Sequence, residues 1–275
     1  MERIKEILGS KPFGYCYELD DILFCYRFLE IRPNLIEDYI KSANFINDEG
    51  STSYVVYIDE LSSILKYINT ELISETGIDD LFYEHNVLFN LTMKNYSNPN
   101  RKFPLIFSYI RNEQNPELFD SGILMEDING ESFDVMTYKD VLKCNLKKTI
   151  IDLIETMITF NDSGLLYHGD IHKGNLFFEL VDDIIEIYFI DFDLTLLNNN
   201  RILYKTRPQG SLIHEIYEIL NMMDSLVTSL DKEKFEHYLN IILYVRENIN
   251  LKYLNKYNQK DKLLYLKNNI IKIKE

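Results

Sequence analysis

The sequence lacks the features of several protein classes. It has 29 Lys and Arg against 44 Asp and Glu, a net charge of −15, so we expect no nucleic-acid-binding surface, which needs clustered cations. No apolar run approaches the roughly 18–20 residues of a membrane span. The three cysteines form no CxxC pair, and residues 1–10 carry no signal-peptide pattern. We therefore expect a reducing, cytoplasmic location, or the host cytoplasm if the protein is viral or a secreted effector.

The most informative stretch covers residues 167–193. Its first part, Tyr-His-Gly-Asp-Ile-His-Lys-Gly-Asn, reads as a loop that leads into a short strand. A polar turn and a second strand follow, and this strand ends on Asp191-Phe192-Asp193. Such a hairpin is expected to bring Asp170, Asn175 and Asp191 close together. Two carboxylates and an amide oxygen are hard donors that suit Mg²⁺ bound with a polyphosphate.

The region upstream predicts a small sheet with one unusual lysine. Three strands are expected at 44–46, 54–58 and 63–68, and the turn at 48–53 has a single glycine, Gly50. Lys66 is the only cation in the third strand. It either faces solvent at the edge of the sheet or, if it is buried, needs a partner of opposite charge.

A helix is predicted over residues 78–93, with a carboxylate on its apolar side. Leu81, Glu84, Leu88 and Leu91 follow one another at helical spacing, which puts Glu84 on the buried stripe. Lys66 is the candidate partner for this carboxylate. The alternative is that Glu84 lies at the edge of the stripe and reaches water.

The rest of the chain predicts further strands and a set of helices. Strands are expected at 15–17, 22–29, 105–110 and 122–125, and residues 126–130 leave the sheet as a polar connector. The apolar spacing predicts one long helix over 139–162 and a loop over 194–210. Further helices are expected at residues 33–40, 211–228, 231–249 and 252–273.

The order of these motifs resembles the protein-kinase-like superfamily over about residues 44–230. Ser63-Ile64-Leu65-Lys66 is similar to the strand motif V-A-I-K, and Glu84 to the glutamate of the helix that follows it. Leu124–Ile128 resembles the connector between the two lobes of these enzymes. His168-Gly169-Asp170 with Asn175 is similar to H-R-D-x-x-x-x-N, and Asp191-Phe192-Asp193 to D-F-G.

The resemblance implies a set of roles for ATP and Mg²⁺. Lys66, oriented by Glu84, would hold the α- and β-phosphates, and Asp170 would accept the proton of the acceptor hydroxyl. Asn175 and Asp191 would bind the metal ions. The remaining nucleotide contacts would come from a turn, the connector, the walls of the adenine site and the loop: Gly50, Ser51, Thr52, Ser53, Glu126, Ile128, Ile64, Met125, Phe177 and His172.

With several departures from the usual motifs, the chain resembles an atypical HGD/DFD branch of the superfamily. Gly169 replaces the arginine of H-R-D, Asp193 replaces the glycine of D-F-G, and no A-P-E motif follows. Glu215 is predicted to replace the helix aspartate that ties down the catalytic loop. This branch is similar to viral and bacterial-effector protein kinases, and to lipopolysaccharide-core, aminoglycoside and choline kinases.

The resemblance implies an α+β, bilobal protein-kinase-like fold. We expect an N-terminal extension over 1–43, an antiparallel-sheet lobe with one main helix over 44–128, and a mostly helical lobe over 129–275. The preferred function is an ATP- and Mg²⁺-dependent serine/threonine protein kinase, because the 44 residues from Glu126 to Asp170 leave little room for inserted helices. The alternatives are a kinase for a small molecule, sugar or lipid head group, and a pseudokinase that serves as a binding module.

Overall fold

The structure is a computed structural model with helices and antiparallel strands in two units. The residues it describes are 15–19, 22–26, 33–42, 44–47, 53–69, 77–95, 98–111, 117–118, 120–197, 211–227, 240, 242–245, 247 and 258–273. Unit 1 takes the chain up to Ser97 together with Pro104–Asp127, and unit 2 takes Asn98–Phe103 together with Ile128–Glu275. The predicted α+β class is confirmed.

Unit 1 is built on a five-stranded antiparallel sheet of order β3-β4-β5-β7-β6. Its strands are β3 (Asn44–Asn47), β4 (Tyr54–Ile58), β5 (Ser63–Ile68), β6 (Ile106–Arg111) and β7 (Ser121–Glu126). The unit also contains a hairpin of β1 (Tyr15–Leu19) and β2 (Ile22–Tyr26), and the helices α1 (Pro33–Ser42) and α2 (Gly77–Asn95). The predicted positions of these strands and helices are confirmed to within a few residues over the described part.

The two faces of this sheet differ, because successive side chains along a strand point to opposite sides. One face carries a buried apolar cluster to which α1 contributes Ile40, with Val56, Ile58, Leu65, Tyr67, Ile110 and Leu124. The other face carries Ile64 and Lys66 of β5. The apolar cluster holds β5 rigidly in the middle of the sheet, so the residues on its second face have fixed positions.

Unit 2 combines short sheets with helices. Its helices are α3 (Tyr138–Lys143), α4 (Leu146–Asp162), α5 (Leu212–Val227) and α6 (Gln259–Lys272). A three-stranded antiparallel sheet has the order β11-β10-β8, formed by β8 (Glu131–Ser132), β10 (Leu176–Val181) and β11 (Ile184–Phe189). A smaller sheet pairs β9 (Leu165–Tyr167) with β12 (Leu196–Leu197). The predicted hairpin of β10 and β11 is present.

The prediction of one helix over residues 139–162 is wrong, because the chain forms α3 and α4 with a break at Cys144 and Asn145. The side chain of Asn145 accepts a hydrogen bond from Lys148 N–H at 3.0 Å and caps the start of α4. The Asn145 N–H donates to the carbonyl of Asp183 at 2.6 Å. This N–H therefore bonds to the β10–β11 turn and not to a carbonyl of α3, so α3 ends before Asn145.

Other predictions fall partly outside the described residues. The loop expected over 194–210 contains the short strand β12, and residues 198–210 are not described. Of the helix expected at 231–249, the described residues 240, 242–245 and 247 are helical. The last helix begins at Gln259 with Asn258 as its cap, rather than at residue 252. None of the described helices is both long and apolar enough to span a bilayer.

Candidate active site

Lys66 and Glu84 form a buried ion pair in unit 1. Lys66 lies on β5 with β4 and β7 on either side, and its Nζ is 2.7 Å from Glu84 Oε2 on α2. The two side chains are 12% and 1% exposed. The predicted pairing is therefore present. A solvent-facing Lys66 on an edge strand and a Glu84 that reaches water are both wrong, because β5 is an inner strand and Glu84 is covered.

The same face of the sheet carries two more of the predicted nucleotide contacts. Ile64 lies opposite Met125 in the β5–β7 register, and Lys66 lies opposite Ile123. Because directly opposed residues of antiparallel strands share a face, Ile64, Lys66 and Met125 are neighbours on one surface. Ser53 is buried just before β4. Gly50, Ser51 and Thr52 lie outside the described residues.

Glu126, the last residue of β7, is hydrogen-bonded to Leu105 through both its main chain and its side chain. The Glu126 N–H donates to the carbonyl of Leu105 at 2.8 Å, and its Oε2 accepts from Leu105 N–H at 3.1 Å. Ile128 is half-buried and is the first residue of the second segment of unit 2. The N–H of Glu126 is therefore used within the protein.

Replacing Lys66 with methionine is expected to destabilise the protein by about 3–5 kcal/mol, because it leaves a buried carboxylate without its cation. The double variant Lys66→Met/Glu84→Met should recover most of this loss, since an apolar pair of similar volume has no charge to desolvate. Denaturant unfolding of the three proteins measures both effects. A single variant as stable as the wild type would contradict the buried charge pair.

The acidic loops of unit 2 are linked by a closed ring of hydrogen bonds. His168 Nε2 lies 3.0 Å from the carbonyl of Ile190, and Ile190 N–H donates to the carbonyl of Asn175 at 3.1 Å. The Asn175 side-chain amide donates to the carbonyl of Asp170 at 3.1 Å and to its Oδ2 at 3.0 Å. The Asp170 N–H points to His168 Nδ1 at 3.4 Å. The ring thus joins Asp170 and Asn175 to the residue that precedes Asp191.

His168 is neutral in this ring. It is fully buried, and burial lowers the pKa of its imidazole to about 4. Because Nε2 faces a carbonyl oxygen, it carries the proton and donates, and Nδ1 is left to accept from Asp170 N–H. The rings of Phe192 and Phe189 pack against it, with centroids 4.7 and 6.0 Å away. His168 therefore acts as a spacer between two loops rather than as a titrating group at neutral pH.

Gly169 and Glu215 fasten the loop to helix α5. The Gly169 N–H donates to Glu215 Oε1 at 2.8 Å, as the resemblance implied for this glutamate. Gly169 has a φ of +94°, and a Cβ added there would overlap the carbonyl oxygen of Leu194. No side chain fits at this position, which gives a physical reason for the missing arginine.

Replacing Glu215 with glutamine is expected to remove a pH dependence of stability. Burial raises the pKa of the Glu215 carboxyl from 4.5 to about 8, against the opposing effect of the N–H groups of Gly169 and His168. A folded-state pKa above the unfolded one means that protonated Glu215 stabilises the fold. This contribution is complete below pH 4.5 and is lost as the pH rises through 8.

Thermal unfolding across this pH range measures the effect. The wild type should lose stability relative to Glu215→Gln by on the order of a few kcal/mol between acidic pH and pH 9. Glutamine keeps an oxygen that can accept from Gly169 N–H, so the tether itself is preserved. Parallel stability curves for the two proteins would contradict a buried carboxyl that takes up a proton on folding.

The donors around Asn175 fit Mg²⁺ together with a phosphate ligand. With its amide nitrogen directed at Asp170, Asn175 presents Oδ1, which accepts no hydrogen bond from any residue in the described ranges. Within those ranges, no group of three or more His, Cys, Asp or Glu is arranged to hold a metal alone. Mg²⁺ does not require one, since it commonly keeps waters and takes one or two protein oxygens plus phosphates.

The two remaining predicted nucleotide contacts, His172 and Phe177, both belong to unit 2. His172 is 56% exposed, its Nε2 lies 3.6 Å from Asp170 Oδ2, and its Nδ1 accepts from Gly174 N–H at 3.1 Å. Phe177 lies on β10, opposite Ser132 of β8 and Tyr188 of β11, and is half-buried. Both therefore belong to the same assembly of loop and sheet as Asp170.

Comparisons with known proteins do not identify a family. No family model matches the chain, and no curated protein matches its sequence. Among solved structures, the crystal structure of WbdD is similar with a TM-score of 0.49 and 12% sequence identity, over 95% of this chain. The chain spans about half of WbdD, 49% of its length. A likeness of this size supports no conclusion about activity, which has to come from the residues themselves.

Sequence reasoning missed one buried residue near the candidate site. Lys102 is 4% exposed, and its Nζ lies 2.6 Å from Glu186 Oε2 on β11. It follows Asn98-Pro99-Asn100-Arg101, which reads as an ordinary polar loop. The available signal was the apolar run that begins at Phe103, since a lysine next to such a run needs a partner if it is covered.

Proposed function

We propose that the chain is an ATP- and Mg²⁺-dependent phosphotransferase with an alcohol group as acceptor, of protein-kinase-like fold and of the atypical HGD/DFD branch. The observation that carries the proposal is the ring of hydrogen bonds through His168, Asp170, Asn175 and Ile190. It fixes a carboxylate, an amide oxygen and the residue before a second carboxylate. The ring uses one oxygen of the Asp170 carboxylate, Oδ2, and leaves Asn175 Oδ1 without a hydrogen bond from the described residues.

In this proposal Asp170 accepts the proton of the acceptor hydroxyl as the phosphoryl group is transferred. Asn175 holds the Asp170 carboxylate through its amide nitrogen and would bind Mg²⁺ through Oδ1, with Asp191 as the second protein ligand. Bound Mg²⁺ would neutralise charge on the phosphate oxygens. His172, beside Asp170, is proposed to contact the phosphates.

The residues of unit 1 are proposed to bind the nucleotide. Lys66 would contact the α- and β-phosphates, and Glu84 keeps its ammonium group in place at 2.7 Å. Ile64, Met125 and Phe177 are each proposed to contact the adenine ring. The carbonyl of Glu126 and the main chain of Ile128 would read its edge, because the Glu126 N–H is already bonded. Ser53, with Gly50, Ser51 and Thr52, would cover the phosphates.

A protein serine or threonine is the preferred acceptor. Between Glu126 and Asp170 the structure has only β8, one turn of 3₁₀ helix, α3, α4 and the short strand β9, which supports a compact plan without inserted substrate-binding helices. The second candidate is a small alcohol, sugar or lipid head group. It is favoured by the absence of an A-P-E motif, which supports peptide binding in protein kinases.

Transfer of label from [γ-³²P]ATP tests the proposal. The wild type and an Asp191→Asn variant are incubated with Mg²⁺ and either cell lysate or a panel of small alcohols. Labelled protein with the wild type alone supports a protein kinase, and labelled small molecules support the second candidate. No Mg²⁺-dependent transfer would overturn the proposed phosphotransferase and favour a pseudokinase that serves as a binding module. Equal transfer by Asp191→Asn would contradict the proposed metal site at Asp191.

A further inference from the structure

Lys102 is the buried member of a charged network of unit 2 that the proposed reaction does not use. Its Nζ lies 2.6 Å from Glu186 Oε2 and 3.9 Å from Asp152 Oδ2 of α4. The Tyr188 hydroxyl donates to the same Glu186 oxygen at 2.9 Å, and the Lys102 ammonium stands 5.2 Å from the centre of the Tyr188 ring. Lys102 is 4% exposed, and the side chains of Glu186 and Asp152 are each 25% exposed. Burying the lysine is unfavourable unless it is well paired, so this arrangement constrains the segment that carries it.

The main chain of Lys102 contacts the same strand as its side chain. β11 is the outer strand of its sheet, with β10 as its neighbour on the other side. At the last residue of β11, Phe189 N–H donates to the carbonyl of Lys102 at 2.9 Å. Side chain and main chain therefore hold β11 at Glu186 and Phe189, three residues and about 10 Å apart along the strand. Such a two-point attachment fixes the direction of β11 as well as its position.

The end of β11 needs this support because Asp191 has an unusual backbone. Its φ is +62°, a left-handed conformation that non-glycine residues rarely adopt. Such a conformation persists where the surrounding structure holds the chain on both sides. The two N–H groups that precede it are bonded in opposite directions, Phe189 to Lys102 and Ile190 to Asn175 at 3.1 Å.

We propose that Lys102 is a positioning residue for Asp191. Glu186 and Asp152 hold the ammonium group of Lys102, and this keeps the Lys102 carbonyl in its hydrogen bond with Phe189 N–H. That hydrogen bond fixes the direction in which the chain leaves β11. Asn175 supplies the matching contact on the other side. The importance of this placement for catalysis rests on the proposed function, in which Asp191 binds Mg²⁺. The placement itself is a property of unit 2 alone.

The test compares an ion pair in the middle of β11 with one at its start. In the first variant, Lys102→Met/Glu186→Gln, both charges of the Lys102–Glu186 pair are removed together. The control, Lys148→Met/Asp183→Asn, makes the same change in an exposed pair at the start of β11, where Lys148 Nζ lies 2.8 Å from Asp183 Oδ2. Amide hydrogen exchange of β11 is measured without ligands, with urea adjusted so that all proteins have equal global stability.

The expected result is local. Exchange at Phe189, Ile190 and Asp191 should accelerate about tenfold or more in the first variant, whereas the amides of Ile185 and Ile187 keep wild-type rates. The control should match the wild type throughout. Unchanged exchange at residues 189–191, or an equal increase along all of β11, would overturn the positioning role. If the first variant does not fold, Glu186→Gln alone makes the same test, because Lys102 keeps Asp152 as a partner.

A second measurement connects the position to the metal. Calorimetry with Mn²⁺ and β,γ-methylene-ATP should give about tenfold weaker metal binding in the first variant, the size of effect seen when groups that orient metal ligands are removed. The control should bind as the wild type does, and equal binding by all three proteins would contradict the link to Asp191. If the wild type binds neither probe, the proposed function fails, while the exchange result still decides the role of Lys102.

Discussion

Replacing Asp170 with asparagine is expected to lower kcat by a factor of about 10² to 10⁴, the contribution of a positioned general base. Asparagine cannot take the proton of the acceptor hydroxyl. Its side-chain oxygen can still accept from the Asn175 amide, which lies 3.0 Å from Asp170 Oδ2 in the wild type. The loop should therefore keep its structure and its nucleotide affinity, so that the loss falls on kcat rather than on the KM for ATP.

The control is the same substitution at Asp182, in the turn between β10 and β11. Asp182 has a φ of +55° and is exposed, and asparagine tolerates this conformation as well as aspartate does. Steady-state kinetics and thermal unfolding of both variants make the comparison. A kcat for Asp170→Asn within threefold of the wild type would contradict the proposed role of Asp170 as the base.

Replacing Gly169 with alanine is expected to destabilise the protein by about 3 kcal/mol or more and to abolish turnover. Two causes add. The φ of +94° is unfavourable for any residue with a Cβ, and that Cβ would overlap the Leu194 carbonyl oxygen. Relief requires the loop to move, which would lengthen the 2.8 Å contact between Gly169 N–H and Glu215 and displace the adjacent Asp170.

Gly174→Ala is the matched control on the same loop. A Cβ at Gly174 would lie 3.0 Å from Cε1 of His172, an exposed ring that can turn aside. Thermal unfolding should show a fall in Tm of about 6 °C or more for Gly169→Ala and a much smaller change for Gly174→Ala. Equal and small effects at both positions would mean that the loop does not need the left-handed conformation.

The sequence predicted those features that short-range patterns encode. Alternating apolar residues located β4 and β5, and the helical spacing of Leu81, Leu88 and Leu91 placed Glu84 on the buried side of α2. Lys66 was the candidate partner for Glu84 because a carboxylate on a buried stripe needs a cation. The hairpin of β10 and β11 was readable from two β-branched and aromatic runs with a polar turn between them.

Features set by contacts between distant residues could not be read in this way. The apolar spacing continues through Cys144, and the break before α4 depends on a hydrogen bond from Asn145 to Asp183, which lies 38 positions further along the chain. The left-handed backbone of Asp191 has no local signal, because aspartate commonly adopts other conformations. The burial of Lys102 likewise depends on Glu186, which follows it by 84 positions. In each case the deciding partner is remote in sequence.

The segment Asn98–Phe103 also limits where the chain can be cut to give separate fragments of the two units. It belongs to unit 2, whereas the residues on both sides of it belong to unit 1. A fragment that starts at Ile128 would lack Lys102 and Phe103, and so would expose Phe160, whose ring centroid lies 5.9 Å from that of Phe103. The two units therefore cannot be exchanged between proteins by a single cut in the chain. A recombinant chimera joined at Asp127 and Ile128 has to inherit Asn98–Phe103 from the same parent as its C-terminal part.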